Sequence, residues 1–398
     1  MEATSWGGAV IRLVMSWLVA LVPIALAVAA SGGPLRSRPR QLGVPLGILP
    51  TGKLDAITDV AGVRVGHTSV QIGNSIRTGV TVVIPHPGNT YQEKVPAAVF
   101  VTNGFGKLTG ISQVRELGTL ETPIALTSTL SVWRVADALT AWVLAQPGNS
   151  DVESVNPVVG ECNDGYLSDI RLRPVGPEHT LDALQRAAGG EVAEGSVGAG
   201  VGTRCLGWKG GIGTSSRKLP DSLGSWTVGV LVQTNFGGIL TIAGVPIGVE
   251  LHRYAFEEEL NKSEAGSCMV VVATDAPLDA RQLERLAART ALGLARVGSF
   301  VSNGSGDYAI SFSSNEECRV HHGERGTRKV PVLADEALSP LFLAVVEATA
   351  EAVLNSLFTA TTVTGADGHT VEALPVDTVI GILRRHDLLQ PQTGGPPQ

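Results

Sequence analysis

Residues 266–274 read Gly266-Ser267-Cys268-Met269-Val270-Val271-Val272-Ala273-Thr274, a serine set directly ahead of one of the most apolar runs in the chain. The polar stretch before it, Glu257-Glu258-Glu259 through Asn261-Lys262-Ser263-Glu264, stops at a glycine. A short β-branched run bounded in this way predicts a buried strand. On local sequence a serine in this place is a strand cap. It has a second use if the chain is cut between Gly266 and Ser267. The serine would then carry a hydroxyl nucleophile and an α-amine on one residue, and that amine, with an unperturbed pKa of ~7.7–8.0, could act as the hydroxyl's own base near neutrality.

Working outward, the neighbouring text is strand and turn, then helix. From Ala56, Ile57-Thr58-Asp59-Val60-Ala61-Gly62-Val63-Arg64-Val65-Gly66-His67 alternates around a glycine turn, and Thr78–Ile84 is a β-branched strand stopped by Pro85. Residues 97–103 and 226–233 read as apolar strands, and 309–312 as another. Val132, Val135, Leu139 and Val143 recur at helical spacing, as do Leu283, Leu286, Ala287, Thr290 and Leu294 behind a capping Asp279, and residues 340–357 read as a long helix. Strands bunch with strands and helices with helices, which predicts an α+β fold of layered sheets rather than a repeated strand–helix–strand architecture.

The chain has 398 residues, 43% of them hydrophobic and 17% charged, enough for a large core. A net charge of −7, no Lys/Arg cluster and 5% aromatics argue against a nucleic acid or anionic membrane partner. Arg12 ahead of the apolar run Leu13–Ala30, broken by Pro23 and leaving through Ala27-Val28-Ala29, predicts a signal peptide over residues 1–29 and an exported, periplasmic or extracellular protein without a membrane anchor once the signal is removed. No second run of membrane-spanning length stands out. Residues 31–50 read as a linker or extended arm, and the tail after Leu389 as Pro/Gln/Gly-rich. Cys162, Cys205, Cys268 and Cys318 match no zinc spacing and read as small buried residues.

Several candidate chemistries are weak. The glycine block Gly207-Trp208-Lys209-Gly210-Gly211-Ile212-Gly213-Thr214-Ser215-Ser216-Arg217 lacks the terminal Gly-Lys-Ser/Thr of a phosphate loop and reads as close backbone packing. His321-His322 has no carboxylate at ligand spacing, so neither metal nor cofactor is expected. A Ser-His-Asp triad stays open, because triad members disperse in sequence. Three polar clusters at strand edges remain: Glu161-Cys162-Asn163-Asp164-Gly165, Gln233-Thr234-Asn235, and Ser305-Gly306-Asp307 placed before a strand. Each alone is turn chemistry. Together they could supply two oxyanion donors, a hydroxyl and carboxylate to orient an amine, and a second carboxylate for a substrate ammonium.

These segments together resemble the self-processing L-aminopeptidase/D-esterase and β-aminopeptidase family, whose fold is shared with ornithine acetyltransferases. The resemblance runs from Ile57-Thr58-Asp59-Val60 through Thr78-Gly79-Val80-Thr81, Glu121-Thr122-Pro123-Ile124, Gly160-Glu161-x-Asn163-Asp164-Gly165 and the glycine block to Ala273-Thr274-Asp275-Ala276-Pro277-Leu278. It implies a four-layer αββα sandwich, self-cleaved at Gly266-Ser267 into an α chain (30–266) and a β chain (267–398) that form one catalytic domain, in a tetramer of such heterodimers. It implies Ser267 as nucleophile, Ser305 and Asp307 on the freed amine, Asn235 and Asn163 as oxyanion donors, and Glu161 as receiver of the substrate ammonium. Asp307 stands where some members have glutamate. Gly266 resembles the L-aminopeptidase branch and Asn163 the β-aminopeptidase branch. The activity implied is release of N-terminal residues, L-α or β such as β-alanine, from small peptides, amides and esters with a free amine. An acyltransferase passing the acyl group to an amine acceptor is the alternative, and a non-catalytic copy of the fold is a third reading.

Overall fold

The computed structural model describes residues 36–255 and 266–389; the signal peptide, the polar stretch ahead of Gly266 and the tail expected from sequence lie outside the described residues. In chain order the main strands are β1 (Arg64–Ile72), β2 (Ile76–Ile84), β3 (Glu93–Gly104), β4 (Ile124–Ser128), β5 (Val158–Cys162), β6 (Ile212–Lys218), β7 (Thr227–Asn235), β8 (Gly266–Thr274) and β9 (Ser305–Ser313). The longer helices are α1 (Val132–Leu144), α2 (Pro177–Arg186), α3 (Ala280–Arg296), α4 (Ser339–Thr359) and α5 (Val376–Arg385). A four-stranded sheet runs β1-β2-β4-β5, and a seven-stranded sheet has the central order β3-β9-β8-β7-β6.

Alternation of side chains across these strands makes three apolar layers. Leu126 and Val158 from one sheet meet Met269, Val271 and Ile310 from the other. The far face of the large sheet, with Val230, Val270 and Ala309, packs on Leu283, Leu286, Ala348 and Leu357 of α3 and α4. The far face of the small sheet packs on Val135 and Leu139 of α1 and Leu184 of α2. The architecture is therefore the αββα sandwich. Because β8 lies inside two covered faces, every residue from Ser267 to Thr274 is buried, which explains its unbroken apolar text rather than an alternating one.

The helix readings hold closely. Asp279 accepts from Gln282 N at 2.7 Å and caps α3. The strand reading over 56–67 is corrected: Ile57–Asp59 is a 3-10 turn, closed because Asp59 accepts from the backbone N–H groups of Leu54 and Ala56, and the strand starts at Arg64. The helical stretch 335–359 is long and apolar enough by composition to cross a membrane, contrary to the sequence reading. Its apolar character on several sides follows from being packed between β6, β7 and α3.

The arm over 36–50 is strapped to the body by ions. Arg38 donates to Glu194 at 2.6 Å, and Arg40 donates to Glu351 at 2.6 Å. Glu351 and Glu347, on α4, also receive the fully buried Arg217 of β6 at 2.6 and 3.0 Å, while Arg217 Nη2 donates to Leu46 O at 2.9 Å. One guanidinium thus joins sheet, helix and arm. Replacing Arg217 by Met leaves the buried Glu347 without its cation and Glu351 with Arg40 alone, and is expected to lower stability by roughly 3–5 kcal/mol, read as a lower urea midpoint.

Candidate functional site

Register brings the polar residues together. In the antiparallel pair β7–β8, Asn235 lies opposite Ser267, so the last residue of one strand faces the first side chain of the next. Asn235 Nδ2 donates to Ser267 Oγ at 3.3 Å and to Asn163 O at 3.0 Å. Its Oδ1 accepts from Arg204 N at 3.2 Å. A donor on one side and a carbonyl on the other leave the amide a single satisfactory orientation, with nitrogen toward the serine.

The second sheet supplies the carboxylate. Glu161 sits near the end of β5, which reaches β8 closely because residue 160 is glycine: a Cβ there would stand 2.7 Å from Met269 Sδ. Glu161 is nearly fully buried, and its Oε1 accepts from Lys107 N at 3.1 Å and Lys107 Nζ at 3.2 Å. Lys107 Nζ also donates to Thr129 Oγ1 at 2.7 Å. Glu161, Asn163, Asn235, Gly266 and Ser267 line one cavity of about 210 Å³ together with Lys107 and Arg204. No described histidine lines it, which leaves Ser267 without the imidazole of a Ser-His-Asp triad.

Asn163 is exposed in this cavity, but its Oδ1 accepts from Gly165 N at 2.9 Å in a local turn. It meets Asn235 through its main-chain oxygen, and among the described residues its side chain makes no hydrogen bond to Ser267. The Gly266 backbone is ordinary strand, and glycine is suited there by crowding, since a Cβ would lie 3.2 Å from Phe236 Cα and 3.3 Å from Asn235 O.

Ser305 and Asp307 are the first and third residues of β9, inside the strand rather than before it. Parallel pairing sets Ser305 opposite Gly266, Gly306 opposite Ser267 and Asp307 opposite Cys268. Alternation then turns Ser305 and Asp307 to the helix-covered face, while Ser267 points with Met269 into the space between the sheets. The pair therefore flanks the backbone at Ser267 and does not touch its hydroxyl. Ser305 Oγ and Asp307 Oδ2 are both buried with no well-formed hydrogen bond among the described residues, although the Ser305 hydroxyl lies close enough to favour the ionised Asp307 carboxylate. Burial pushes the Asp307 carboxyl up to about 6.

Sequence reasoning missed Lys107, Thr129, Tyr166 and Arg204, all at this cavity. The glycine-flanked Gly104-Phe105-Gly106-Lys107 is the available signal for the lysine. Lys209 of the glycine block is fully buried and donates to Gly200 O and Gly210 O at 2.8 and 2.7 Å, so it ties loops together instead of facing a phosphate. Burial draws its ammonium down to about 7.

A family model described as peptidase family S58 matches residues 55–371. The beta-peptidyl aminopeptidase BapA of Sphingosinicella microcystinivorans is 42% identical over 381 residues, covering 90% of this chain and 94% of that protein. Among solved structures, a Burkholderia sp. beta-aminopeptidase superposes with a TM-score of 0.81 at 40% identity, over 91% of this chain and 100% of that one. The L-aminopeptidase D-Ala-esterase/amidase of Ochrobactrum anthropi, titled a new variant among the Ntn hydrolase fold, gives 0.81 at 35%, over 89% and 99%.

The raised Asp307 carboxyl has a definite sign. The folded chain holds that proton more tightly than the unfolded chain, so the contribution of Asp307 to stability is greatest below about pH 4, falls as pH rises toward about 6 and is lost above it. In a Ser267→Ala protein, Asp307→Asn should reduce the stability difference between pH 5 and pH 7.5 by about 1 kcal/mol, measured by urea unfolding at both values.

Proposed function

From the premise that this chain belongs to peptidase family S58 and is an aminopeptidase, we propose that it matures by cutting itself at Gly266-Ser267 and then uses Ser267 to release N-terminal residues, β-amino residues among them, from short peptides and amides. The observation that carries this reading is the Asn235 amide on Ser267 Oγ in the same cavity as the buried Glu161.

Maturation begins when Ser267 Oγ attacks the Gly266 carbonyl carbon. The Gly266–Ser267 C–N bond breaks, the hydroxyl proton passes to the leaving nitrogen, and Gly266 is held as an ester on Oγ. Water hydrolyses the ester, giving the Gly266 carboxylate and a free hydroxyl and α-amine on Ser267. The amine emerges beside Ser305 and Asp307, whose buried oxygens then gain a donor, and an ammonium there offsets the cost of the buried carboxylate.

In turnover the substrate ammonium approaches Glu161, whose Oε1 is held by Lys107, and Ser267 Oγ attacks the carbonyl of the first residue. The α-amine takes the hydroxyl proton and passes it to the departing amine, leaving an acyl ester that water hydrolyses with the amine as base. The Asn235 hydrogen now on Oγ is the one free to turn to the oxyanion, since the other is committed to Asn163 O. Asn163 is proposed as a second donor after its turn contact with Gly165 is released. The β-residue preference is supported by the named activity of the 42%-identical relative. Export and assembly into a tetramer of αβ heterodimers are part of the same proposal.

Purified protein should run as two fragments on a denaturing gel, the smaller with Ser267 at its N-terminus, and Ser267→Ala should leave one band. An unprocessed wild type with full activity would refute self-cleavage. Asn235→Ala should lower kcat by ~10²–10³, the usual cost of a lost oxyanion donor. β-Alanine p-nitroanilide should be cleaved with higher kcat/KM than L-alanine p-nitroanilide; turnover of the L substrate alone would remove the β assignment.

A further inference from the structure

The charges around Ser267 are distributed unevenly, and the imbalance bears on what leaves after the scissile bond. On the Glu161 side, Lys107 pairs with the carboxylate at 3.2 Å, so that end carries both signs. On the other side of Asn235 the catalytic cavity adjoins a second, of about 100 Å³, which shares Tyr166, Arg204 and Asn235 with it and contains neither Glu161 nor Lys107. Its other cation, Arg253, is tied to Glu372 at 2.8 Å and lies over the Trp208 ring. Among the described residues no carboxylate lines this second cavity.

Of the cations lining these two cavities, Arg204 is the one without an ion pair among the described residues. Its guanidinium lies over the Tyr166 ring, 4.7 Å from the centroid, and Tyr166 is stacked in turn on His369 with ring centroids 4.4 Å apart. His369 Nδ1 lies 2.9 Å from Tyr166 O and anchors the stack. Among the described residues the guanidinium has no ion pair. A planar cation held on an aromatic face, with its donor edge left over, is pre-organised for a carboxylate. The backbone of the same residue holds the Asn235 amide, which fixes Arg204 relative to Ser267.

We infer that Arg204 receives the free α-carboxylate of the residue that follows the scissile bond, so that the preferred substrates are dipeptides rather than longer chains or C-terminally blocked peptides. The inference rests on Ser267 as nucleophile and Glu161 as amine receiver: with the ammonium at Glu161 and the carbonyl at Ser267, the departing residue extends past Asn235 toward Arg204. A dipeptide is then held at both ends by opposite charges. A longer substrate puts a neutral peptide carbonyl where the carboxylate belongs.

The test compares a dipeptide with β-alanine first and alanine second, as free acid and as C-terminal amide, by the rate of β-alanine release. Wild-type kcat/KM should favour the acid by about tenfold to a hundredfold, the range a charge-assisted hydrogen bond supplies. The advantage should shrink as salt is raised from 20 to 500 mM, since the site is open to solvent. Arg204→Gln should bring the acid-to-amide ratio near one, and Arg204→Lys should keep an intermediate ratio with the benefit chiefly in KM. An equal wild-type ratio overturns the inference without any variant, and would also follow if the Gly266 carboxylate made by cleavage occupied Arg204. A ratio preserved in Arg204→Gln overturns it as well. Release from the amide with no preference refutes the carboxylate site alone, whereas release from neither substrate refutes the catalytic reading and the inference with it.

Discussion

The register of β8 between its two neighbours is the constraint on which the rest of this molecule depends. Antiparallel pairing with β7 sets Ser267 against Asn235, and parallel pairing with β9 sets it against Gly306, between Ser305 and Asp307. A slip of one residue would turn Ser267 to the helix side and Cys268 to the cavity. Slippage is prevented by burial on both faces, because Met269 and Val271 fit the intersheet layer and Val270 and Val272 fit the helix layer.

That constraint also explains how a chain could be cut in the middle of its core and remain folded. The bond in question is at the first residue of a central strand, and the ladder hydrogen bonds and both apolar layers lie on its C-terminal side. Cutting there removes one covalent link and leaves the packing of residues 267–274 intact. Two of the buried atoms without a well-formed hydrogen bond among the described residues, Ser305 Oγ and Asp307 Oδ2, lie where the new amine would form. Such atoms are costly in a finished structure, and maturation would relieve the cost.

The site is a meeting of two sheets. Ser267 and Asn235 belong to the large one and Glu161 to the small one, with Gly160 permitting the approach and Lys107 holding the carboxylate. The ion network of Arg217, Glu347, Glu351 and Arg40 works at the other face of the large sheet, where it locks α4 and the arm over 36–50 against β6. The strand that carries Ser267 is thus supported from behind by buried charge and from the front by close apolar contact.

Composition and periodicity alone determined the α+β class, the buried strand at 267–274, the capped helix behind Asp279 and the long helix ending near residue 359, because these depend on local spacing that tertiary contacts reinforce. Motif order gave the family and with it the layered architecture and the candidates Ser267, Asn235 and Glu161. Only the tertiary structure decided the faces. It put Ser305 and Asp307 within a strand and turned away from the serine hydroxyl, left the Asn163 side chain in a local turn, and crowded Gly266 against Phe236 and Asn235. It also brought in Lys107, Tyr166 and Arg204 from separate loops. A side chain's direction follows from register and from how closely two sheets approach, and both are set by contacts between residues far apart in the chain, which no local pattern of residues records.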